Sequence, residues 1–366
     1  MIYLDNAATT RPCAAAVQAV ADALTVHWAN PSALYHEGVE AARLLRACRE
    51  QVAQTLGAPA ERVVFTSGGT ESDNWAILSA VRRSRKRHII TTQVEHHAVL
   101  HPIELLEQQG YRVTYLKPDA LGRVGVEALR DALTEDTCLV SIMMVNNETG
   151  AVMPIERMAK LTHLRCPDAL FHTDAVQGFC KVPFRASTLG ADAISISGHK
   201  IHASKGVGAL CLAKRLAPLL LGGGQENGAR SGTENLPGIA SLAAACAAFD
   251  RQQIRRQEEM KQHLRLRLSA LEGVTLLGAQ DAPHIVNLAV AGVRSQGLIN
   301  VLQDMGFCVS AGSACSKGHR SHVLEAMGVA PALIDGSIRV SLSAENTMQE
   351  MDDFADALPR AVAALR

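Results

Sequence analysis

The sequence of 366 residues lacks several features that would restrict its function. It has no charge excess, with 36 Lys and Arg residues against 36 Asp and Glu residues, so a general electrostatic affinity for nucleic acid or anionic membranes is not expected. Aromatic residues make up only 4% of the chain, which leaves few side chains for stacking on bases. The most apolar stretch, residues 239–249, is too short to cross a bilayer and is predicted to be a core helix. The first residues lack a basic segment followed by an apolar run, so no signal peptide is expected.

A pattern of paired cysteines is also missing. The chain has nine cysteines, an odd number, with no CxxC pair among them. We therefore expect no disulfide framework and a location in the reducing cytoplasm. Most of these thiols should be small buried apolar groups, with Cys211 and Cys246 as examples.

Short β-branched segments alternate with helical patterns along the first two thirds of the chain. This alternation predicts an α/β fold with a mainly parallel sheet flanked by helices. The predicted strands are 62–66, 88–92, 139–145, 170–173, 193–197 and 208–212, and a helix is predicted at 71–81. Polar residues and glycines follow several of these strands, where open α/β sheets bind their ligands.

The composition changes near residue 250, where a charged helix is predicted over 250–272. Strands near 284–290, 308–310 and 337–342 predict a smaller α+β domain after it. We expect a large domain at 12–250 and a small domain formed by 1–11 and 251–366. The charged residues of 250–272 are interpreted as a solvated helix face.

Three sites at strand ends fit one cofactor. Lys200 follows an apolar strand, where its amine is suited to attack an aldehyde, although a lysine here alone would be interpreted as an exposed loop residue. Asp174 also follows a strand; alone it would be a helix N-cap, but with Lys200 it suits the ring nitrogen of pyridoxal phosphate. The turn containing Gly69 and Thr70 joins a strand to a helix and offers backbone N–H groups to a phosphate.

The order of these sites along the chain resembles that of a known family, the NifS/IscS-like cysteine desulfurases. They belong to the class V aminotransferase-like, fold-type I enzymes that use pyridoxal phosphate. Together with the Asp174 and Lys200 motifs, the similar segments are 3–10, 29–32, 66–72, 94–98, 145–150, 230–235 and 313–316. The resemblance covers nearly the whole chain. It implies that the protein removes sulfur from L-cysteine, leaving L-alanine and a persulfide on Cys315.

The resemblance also implies a role for each matching residue. Lys200 would form the Schiff base with the cofactor, Asp174 would pair with the ring nitrogen, and Gln177 would bond the ring hydroxyl oxygen. His96 would stack on the ring and exchange protons with the substrate. The remaining implied contacts are Thr70, Ser197 and His199 with the phosphate, Thr233 with the phosphate from the second subunit of a homodimer, and Asn147 and Arg339 with the substrate carboxylate.

Cys315 lies in a segment of small, polar residues and glycines, which predicts an exposed, mobile loop. Lys317 and His319 are near enough in sequence to stabilise a thiolate. Cys315 could also be a loop thiol without a catalytic role, but its occurrence together with the cofactor residues favours a reactive thiol. The implied acceptor of the persulfide sulfur is a protein of iron–sulfur cluster assembly or tRNA thiolation.

Other interpretations and departures from the family stay open at this point. A selenocysteine lyase or another class V aminotransferase would share the cofactor residues, and a non-catalytic sulfur-transfer scaffold would share the fold. His97 and His101 have helical i, i+4 spacing but no third ligand in a zinc pattern, so no metal is predicted. Asn227 stands where the family commonly has arginine, and the segment after Cys315 is shorter than in the housekeeping enzymes. These departures affect which acceptor docks rather than the catalytic groups.

Overall fold

The computed structural model describes residues 1–82, 84–311 and 320–366. The strands in these ranges are β1 (Ile2–Tyr3), β2 (Val63–Thr66), β3 (His88–Thr92), β4 (Arg112–Leu116), β5 (Thr137–Ser141), β6 (Leu170–Asp174), β7 (Ala193–Ser197), β8 (Gly208–Leu212), β9 (Val274–Leu277), β10 (Ile285–Val290), β11 (Phe307–Cys308) and β12 (Ser337–Ser341). The helices are α1 (Ala14–Thr25), α2 (His36–Leu56), α3 (Gly69–Arg82), α4 (His97–Gln108), α5 (Val126–Ala132), α6 (Ile155–Arg165), α7 (Ala186–Leu189), α8 (Leu236–Ala248), α9 (Gln252–Ser269), α10 (Ser295–Asp304), α11 (His322–Ala326), α12 (Pro331–Asp335) and α13 (Met348–Ala363). None of these helices is both long and apolar enough to span a membrane.

Seven strands form the central sheet in the order β2-β8-β7-β6-β5-β3-β4. The strand β8 runs antiparallel to both of its neighbours, and the other pairs are parallel. Every residue of β3, β5 and β7 is buried, as expected for strands covered on both faces by helices. The predicted α/β class with a mainly parallel sheet is confirmed.

The carboxyl ends of β6 and β7 meet at one edge of this sheet. Because the two strands are parallel and adjacent, Asp174 pairs with Ser195, and Ser197 lies two residues further along β7 at its end. The helix α3 begins at the same edge, directly after β2. The sheet therefore places a carboxylate, a hydroxyl and a helix N-terminus around one crevice, as open α/β sheets commonly do.

The C-terminal part forms a second core around a three-stranded antiparallel sheet, in the order β12-β10-β9. The core is made by apolar residues of the sheet and of α9, α10 and α13, including Leu264, Leu288 and Phe354. The first strand of the chain, β1, pairs in parallel with β11, so the amino-terminal residues lie against this part of the molecule.

Some element ends differ from the prediction. The strand predicted at 139–145 is shorter, since β5 ends at Ser141 and Val145 pairs instead with Val152 in an isolated bridge. The charged helix α9 covers Gln252–Ser269 within the predicted 250–272. All eight cysteines in the described ranges are free, and Cys211 and Cys246 are buried as predicted. Cys315 lies outside the described residues.

Candidate active site

A cavity of about 320 Å³ opens at the carboxyl ends of β6 and β7. The predicted site residues that line it are Gly69, Thr70, His96, Asn147, Asp174, Gln177, Ser197, His199, Lys200 and Arg339. These residues come from six separate segments of the chain, so their meeting is a property of the fold. The volume lies in the range of small-molecule sites.

Lys200 ends a short 3₁₀ turn, Gly198–Lys200, that follows β7. Its Nζ donates to the carbonyl oxygens of Ala7 at 2.7 Å and Ala8 at 2.8 Å. The amino-terminal segment therefore holds the lysine amine in the cavity. This contact explains why residues near the start of the chain belong to a site built mainly on the central sheet.

Asp174 is the last residue of β6 and is 6% exposed. Its Oδ1 accepts a hydrogen bond from the backbone N–H of Val176 at 2.8 Å. Burial and, to a smaller extent, the nearby carboxyl of Asp73 raise the pKa of Asp174 to about 7. A cationic group of a ligand would remove this penalty, because it would favour the ionised form.

Two other buried carboxyls stand near Asp174, and the sequence prediction missed both. Asp73 is 1% exposed, and burial raises its pKa to about 7. Its Oδ1 has no hydrogen-bond partner among the described residues, because the nearby His172 Nε2 bonds Ser195 Oγ at 3.0 Å. Burial raises the pKa of Glu95 to about 8, although its Oε1 accepts from Thr92 and Met143. One side of the cavity is therefore a cluster of carboxyl groups.

The N-terminus of α3 contributes hydrogen-bond donors to the cavity, in contrast to these carboxyls. The backbone N–H groups of residues 69–71 have no acceptor among the described residues, and they open into the cavity beside Ser197 and His199. His199 Nδ1 lies 3.2 Å from Thr9 Oγ1, and burial together with Lys200 lowers the pKa of His199 to about 4. This end offers N–H and hydroxyl donors of the kind that bind a phosphate.

His96 is the N-cap of α4, and its Nδ1 accepts from the backbone N–H of Ala98 at 3.1 Å. Burial and the Lys200 cation lower the pKa of His96 to about 4, so the ring is neutral near pH 7. The bond to Nδ1 places the proton of this neutral ring on Nε2. His97 forms ring contacts with His101 and His322, each at 4.9 Å between centroids. The described residues include no group of three or more His, Cys, Asp or Glu placed to hold a metal.

Arg339 and Asn147 meet on another wall of the cavity. Arg339 is 2% exposed and donates from Nη1 to the carbonyl oxygen of Asn147 at 2.8 Å and from Nη2 to Asp5 at 2.9 Å. These contacts orient the guanidinium within the cavity wall. A planar guanidinium suits a carboxylate group better than an ammonium does.

The side-chain amide of Gln177 already has hydrogen-bond partners within the protein. Its Nε2 donates to the carbonyl oxygen of Ala7 at 2.8 Å, and its Oε1 lies 3.2 Å from His284 Nε2. The same Ala7 oxygen accepts from Lys200. Gln177 and Lys200 therefore share one acceptor, and the contact of Gln177 with a ring hydroxyl stays a prediction.

Thr233 is the described residue of the predicted set that does not line this cavity. It is exposed and lines a separate small cavity next to Ser67. This placement is compatible with the prediction that Thr233 acts on the site of a second subunit.

The ends of the segment that contains Cys315 are both attached to the cavity walls. Before it, Ser310 and Arg339 exchange backbone hydrogen bonds at 3.2 Å and 2.7 Å. After it, Ser321 Oγ bonds the buried carboxylate of Glu148, and His322 Nε2 lies 3.1 Å from the carbonyl oxygen of Glu95. The prediction missed Glu148, although it directly follows Asn147 in the sequence.

Comparison with known proteins places these observations in a family. The family model for aminotransferase class-V matches residues 2–354. A cysteine desulfurase of Nostoc sp. strain PCC 7120 is 42% identical over all of this chain and 94% of its own length. A solved NifS-like protein superposes with a TM-score of 0.94 at 35% identity, covering all of both chains. The solved structure of SspA in complex with cysteine matches with a TM-score of 0.82 at 32% identity, over 95% of this chain and all of that one.

Proposed function

This chain belongs to the class-V aminotransferase family and, within it, to the cysteine desulfurases, and we propose that its 320 Å³ cavity binds pyridoxal phosphate and L-cysteine and that Cys315 receives the sulfur. The strongest support is that Lys200 lines the same cavity as the buried carboxyl of Asp174 and the N–H donors at the start of α3, which suit a phosphate. The proposed acceptor of the sulfur is a protein of iron–sulfur cluster assembly or tRNA thiolation.

The residues present fit pyridoxal phosphate at three points. The free N–H groups at the start of α3 suit its phosphate, Asp174 suits its ring nitrogen, and Lys200 suits its aldehyde carbon. When bound, the cofactor supplies an electrophilic aldehyde and a ring that withdraws electrons from the substrate. The raised pKa of Asp174 supports this fit, because an ionised carboxylate at this depth requires a cation beside it.

Lys200 and His96 are the proposed proton-transfer groups. Lys200 Nζ, held at 2.7 Å and 2.8 Å from two backbone carbonyls, is placed to remove the proton from the substrate Cα once its amine is released. His96 is neutral and has its proton on Nε2, so it can donate a hydrogen bond without adding a positive charge.

Arg339 and Asn147 are proposed to hold the substrate carboxylate. Arg339 is fixed by Asp5 and by the Asn147 carbonyl, which limits the orientations of its fork. An amino acid bound there would have its Cα close to Lys200, since both residues line the same cavity. Binding of the carboxylate at a fixed wall orients the scissile C–S bond.

Cys315 is proposed to attack the substrate sulfur. A new S–S bond forms, the Cβ–S bond breaks, and its electron pair remains with the substrate carbon, which is then protonated to give L-alanine. Ala311 is four residues before Cys315, so Cys315 lies within roughly 14 Å of Ala311 at full chain extension. Ser310 and Ser321, on either side of this segment, are both bonded to residues of the cavity walls, which supports this role for Cys315.

The test compares Cys315→Ala with Cys308→Ala, since Cys308 is a partly buried free thiol on β11 just before the same segment. Holoenzyme is given L-cysteine with a thiol reductant, and L-alanine and sulfide are measured. We expect Cys315→Ala to lose both products and the persulfide detected by mass spectrometry, and Cys308→Ala to keep them. Full alanine production by Cys315→Ala would show that the persulfide route is wrong.

A selenocysteine lyase is the second candidate, because the described site has no group that distinguishes sulfur from selenium. Comparison of kcat/KM for L-cysteine and L-selenocysteine separates the two activities. Activity with L-selenocysteine that persists in Cys315→Ala, with none for L-cysteine in the wild type, would assign the lyase.

The homodimer is proposed on the position of Thr233, which is exposed and outside the cavity of its own chain. Lys200→Ala and Thr233→Ala should each impair activity, and mixed dimers should regain part of it because one site then has both intact residues. If Thr233 acts within its own chain, mixing will restore nothing.

A further inference from the structure

A second cavity, of about 560 Å³, lies between the segment that follows β6 and the start of α9. Its walls are largely apolar and include the aromatic rings of Phe179, Phe184 and Phe249 with the side chain of Ile254. This volume is within the range of sites for small organic molecules. None of its lining residues lines the candidate active site.

Lys181 is the polar group that distinguishes this cavity. It is 5% exposed, lines the cavity, and makes no side-chain hydrogen bond or ion pair with any residue in the described ranges. Lys261 shows how the same protein treats another buried lysine. Lys261 is 1% exposed, and its Nζ donates to the carbonyl oxygens of Gln280 at 2.9 Å and Ala282 at 3.1 Å and pairs with Glu258 at 2.7 Å.

The acidic residues around the cavity do not balance Lys181, because each already has a cationic partner. The pairs are Glu258 with Lys261, Glu259 with Arg255, and Asp281 with Arg123. Arg251 also lines the cavity and has no ion-pair partner within the described part of the chain. The cavity therefore has apolar walls and an excess of positive charge.

We propose that this cavity binds a small carboxylic acid with an aromatic or branched apolar body, and that Lys181 Nζ pairs with its carboxylate. A buried ammonium without a partner is costly, and a carboxylate removes that cost while the apolar walls cover the rest of the ligand. A single buried cation with few other donors matches a monocarboxylate rather than a phosphate, which takes more donors.

Lys181 also connects the two sites. It lines a smaller cavity of about 90 Å³ together with Lys200 and His202. Burial and the cations of Lys200 and Arg339 together lower the pKa of Lys181 to about 7, although Cys180 opposes the shift. A carboxylate bound at Lys181 would favour the charged form of Lys181, which lines the same small cavity as Lys200.

The test measures binding of 3-phenylpropionate to holoenzyme by isothermal titration calorimetry, with 3-phenylpropionamide as the neutral analogue. Lys181→Met removes the charge with little change in volume, and Lys117→Met removes the same charge from an exposed strand end. We expect the amide to bind at least tenfold more weakly than the acid to wild type. The acid should bind at least tenfold more weakly to Lys181→Met and unchanged to Lys117→Met.

Two further measurements keep the proposal falsifiable. At pH 8 the acid should bind with uptake of most of a proton, seen by titration in buffers of different ionisation enthalpy, because the free Lys181 is largely neutral there. Ile254→Trp, which fills the cavity without replacing Lys181, should remove binding of the acid. Equal binding to wild type and Lys181→Met, or no binding at millimolar acid, would overturn the proposal.

Discussion

Replacement of Asp174 by Asn should stabilise the cofactor-free protein while it removes cofactor binding. Burial and the Asp73 carboxyl raise the pKa of Asp174 from 3.8 to about 7. Asn keeps the size of the side chain and can still accept the hydrogen bond from the Val176 N–H. The substitution therefore removes the cost of a buried charge without opening a cavity.

The magnitude follows from the pKa shift. Each pKa unit corresponds to about 1.4 kcal/mol, so three units set an upper limit of roughly 4 kcal/mol. Asp73 shares the penalty, because ionisation of either carboxyl raises the cost of ionising the other. We expect Asp174→Asn to raise the free energy of unfolding of the apoprotein by about 1–3 kcal/mol at pH 8.

The pH dependence gives the sharper test. Because the folded-state pKa is raised, the contribution of Asp174 to wild-type stability falls as pH rises from about 4 to about 7 and then levels off. The gain from Asp174→Asn should therefore be full at pH 8 and shrink below pH 7. The assay is urea unfolding of apoprotein, followed by circular dichroism at pH 5, 6, 7 and 8.

The matched control is Asp168→Asn, since Asp168 is an exposed carboxylate paired only with Lys86. It should change stability by less than about 0.5 kcal/mol at every pH. With pyridoxal phosphate added, wild type should become more stable and Asp174→Asn should not, because the variant loses the charge proposed to pair with the ring nitrogen. A loss of apoprotein stability in Asp174→Asn at pH 8, or a gain that does not vary with pH, would refute the reasoning.

Three further outcomes follow from single contacts. Glu226→Gln should lower the free energy of unfolding, measured in urea, by about 3–5 kcal/mol, because Arg49 keeps its charge but loses the carboxylate with which it forms a buried bidentate pair. A change below 1 kcal/mol would contradict this. Gly208→Ala should weaken cofactor binding in a fluorescence titration, since its Cβ would meet the Ile196 oxygen at 2.6 Å; unchanged affinity would contradict it. His96→Gln should lower kcat by about 10²–10⁴-fold with no shift of the acidic limb of the pH–rate profile, since burial lowers the pKa of His96 to about 4; a shifted limb would contradict it.

Some residues of the candidate active site were predictable from the sequence, because the strands could be predicted and the residue types at their ends pointed to a ligand site. Asp174 and Ser197 lie at the ends of apolar strands and Lys200 follows one, and parallel strands bring their carboxyl ends to one edge. The pattern of strands predicts that edge without any knowledge of tertiary contacts. The α/β class and the grouping of these three residues follow from this regularity, and both are present in the structure.

The buried carboxyls were not predictable in the same way. Asp73 lies one turn into α3, where an acidic residue is usually interpreted as a favourable partner of the helix dipole. Only the packing of α3 against β6 and β7 shows that it is buried beside Asp174. Glu95 similarly precedes the predicted His96, and its burial depends on contacts with Thr92 and Met143. Burial of a charged residue is a property of packing that local sequence does not encode.

Charged groups of both signs surround the cavity. The carboxyls of Asp73, Glu95 and Asp174 lie together, and each has a pKa raised by burial. The cations of Lys200 and Arg339 are on the other walls, together with the N-terminus of α3.

The proposed cofactor, with a cationic ring nitrogen and an anionic phosphate, would match this pattern with its nitrogen beside Asp174. Rotation of such a ligand would place an anion against the three carboxyls, in an interior where charge interactions are several-fold stronger than in water. We therefore expect orientation of the proposed cofactor to depend on the carboxyl cluster as well as on Lys200. The cluster also explains why the apoprotein should gain stability from Asp174→Asn, since the same charges that orient the ligand repel one another when the ligand is absent.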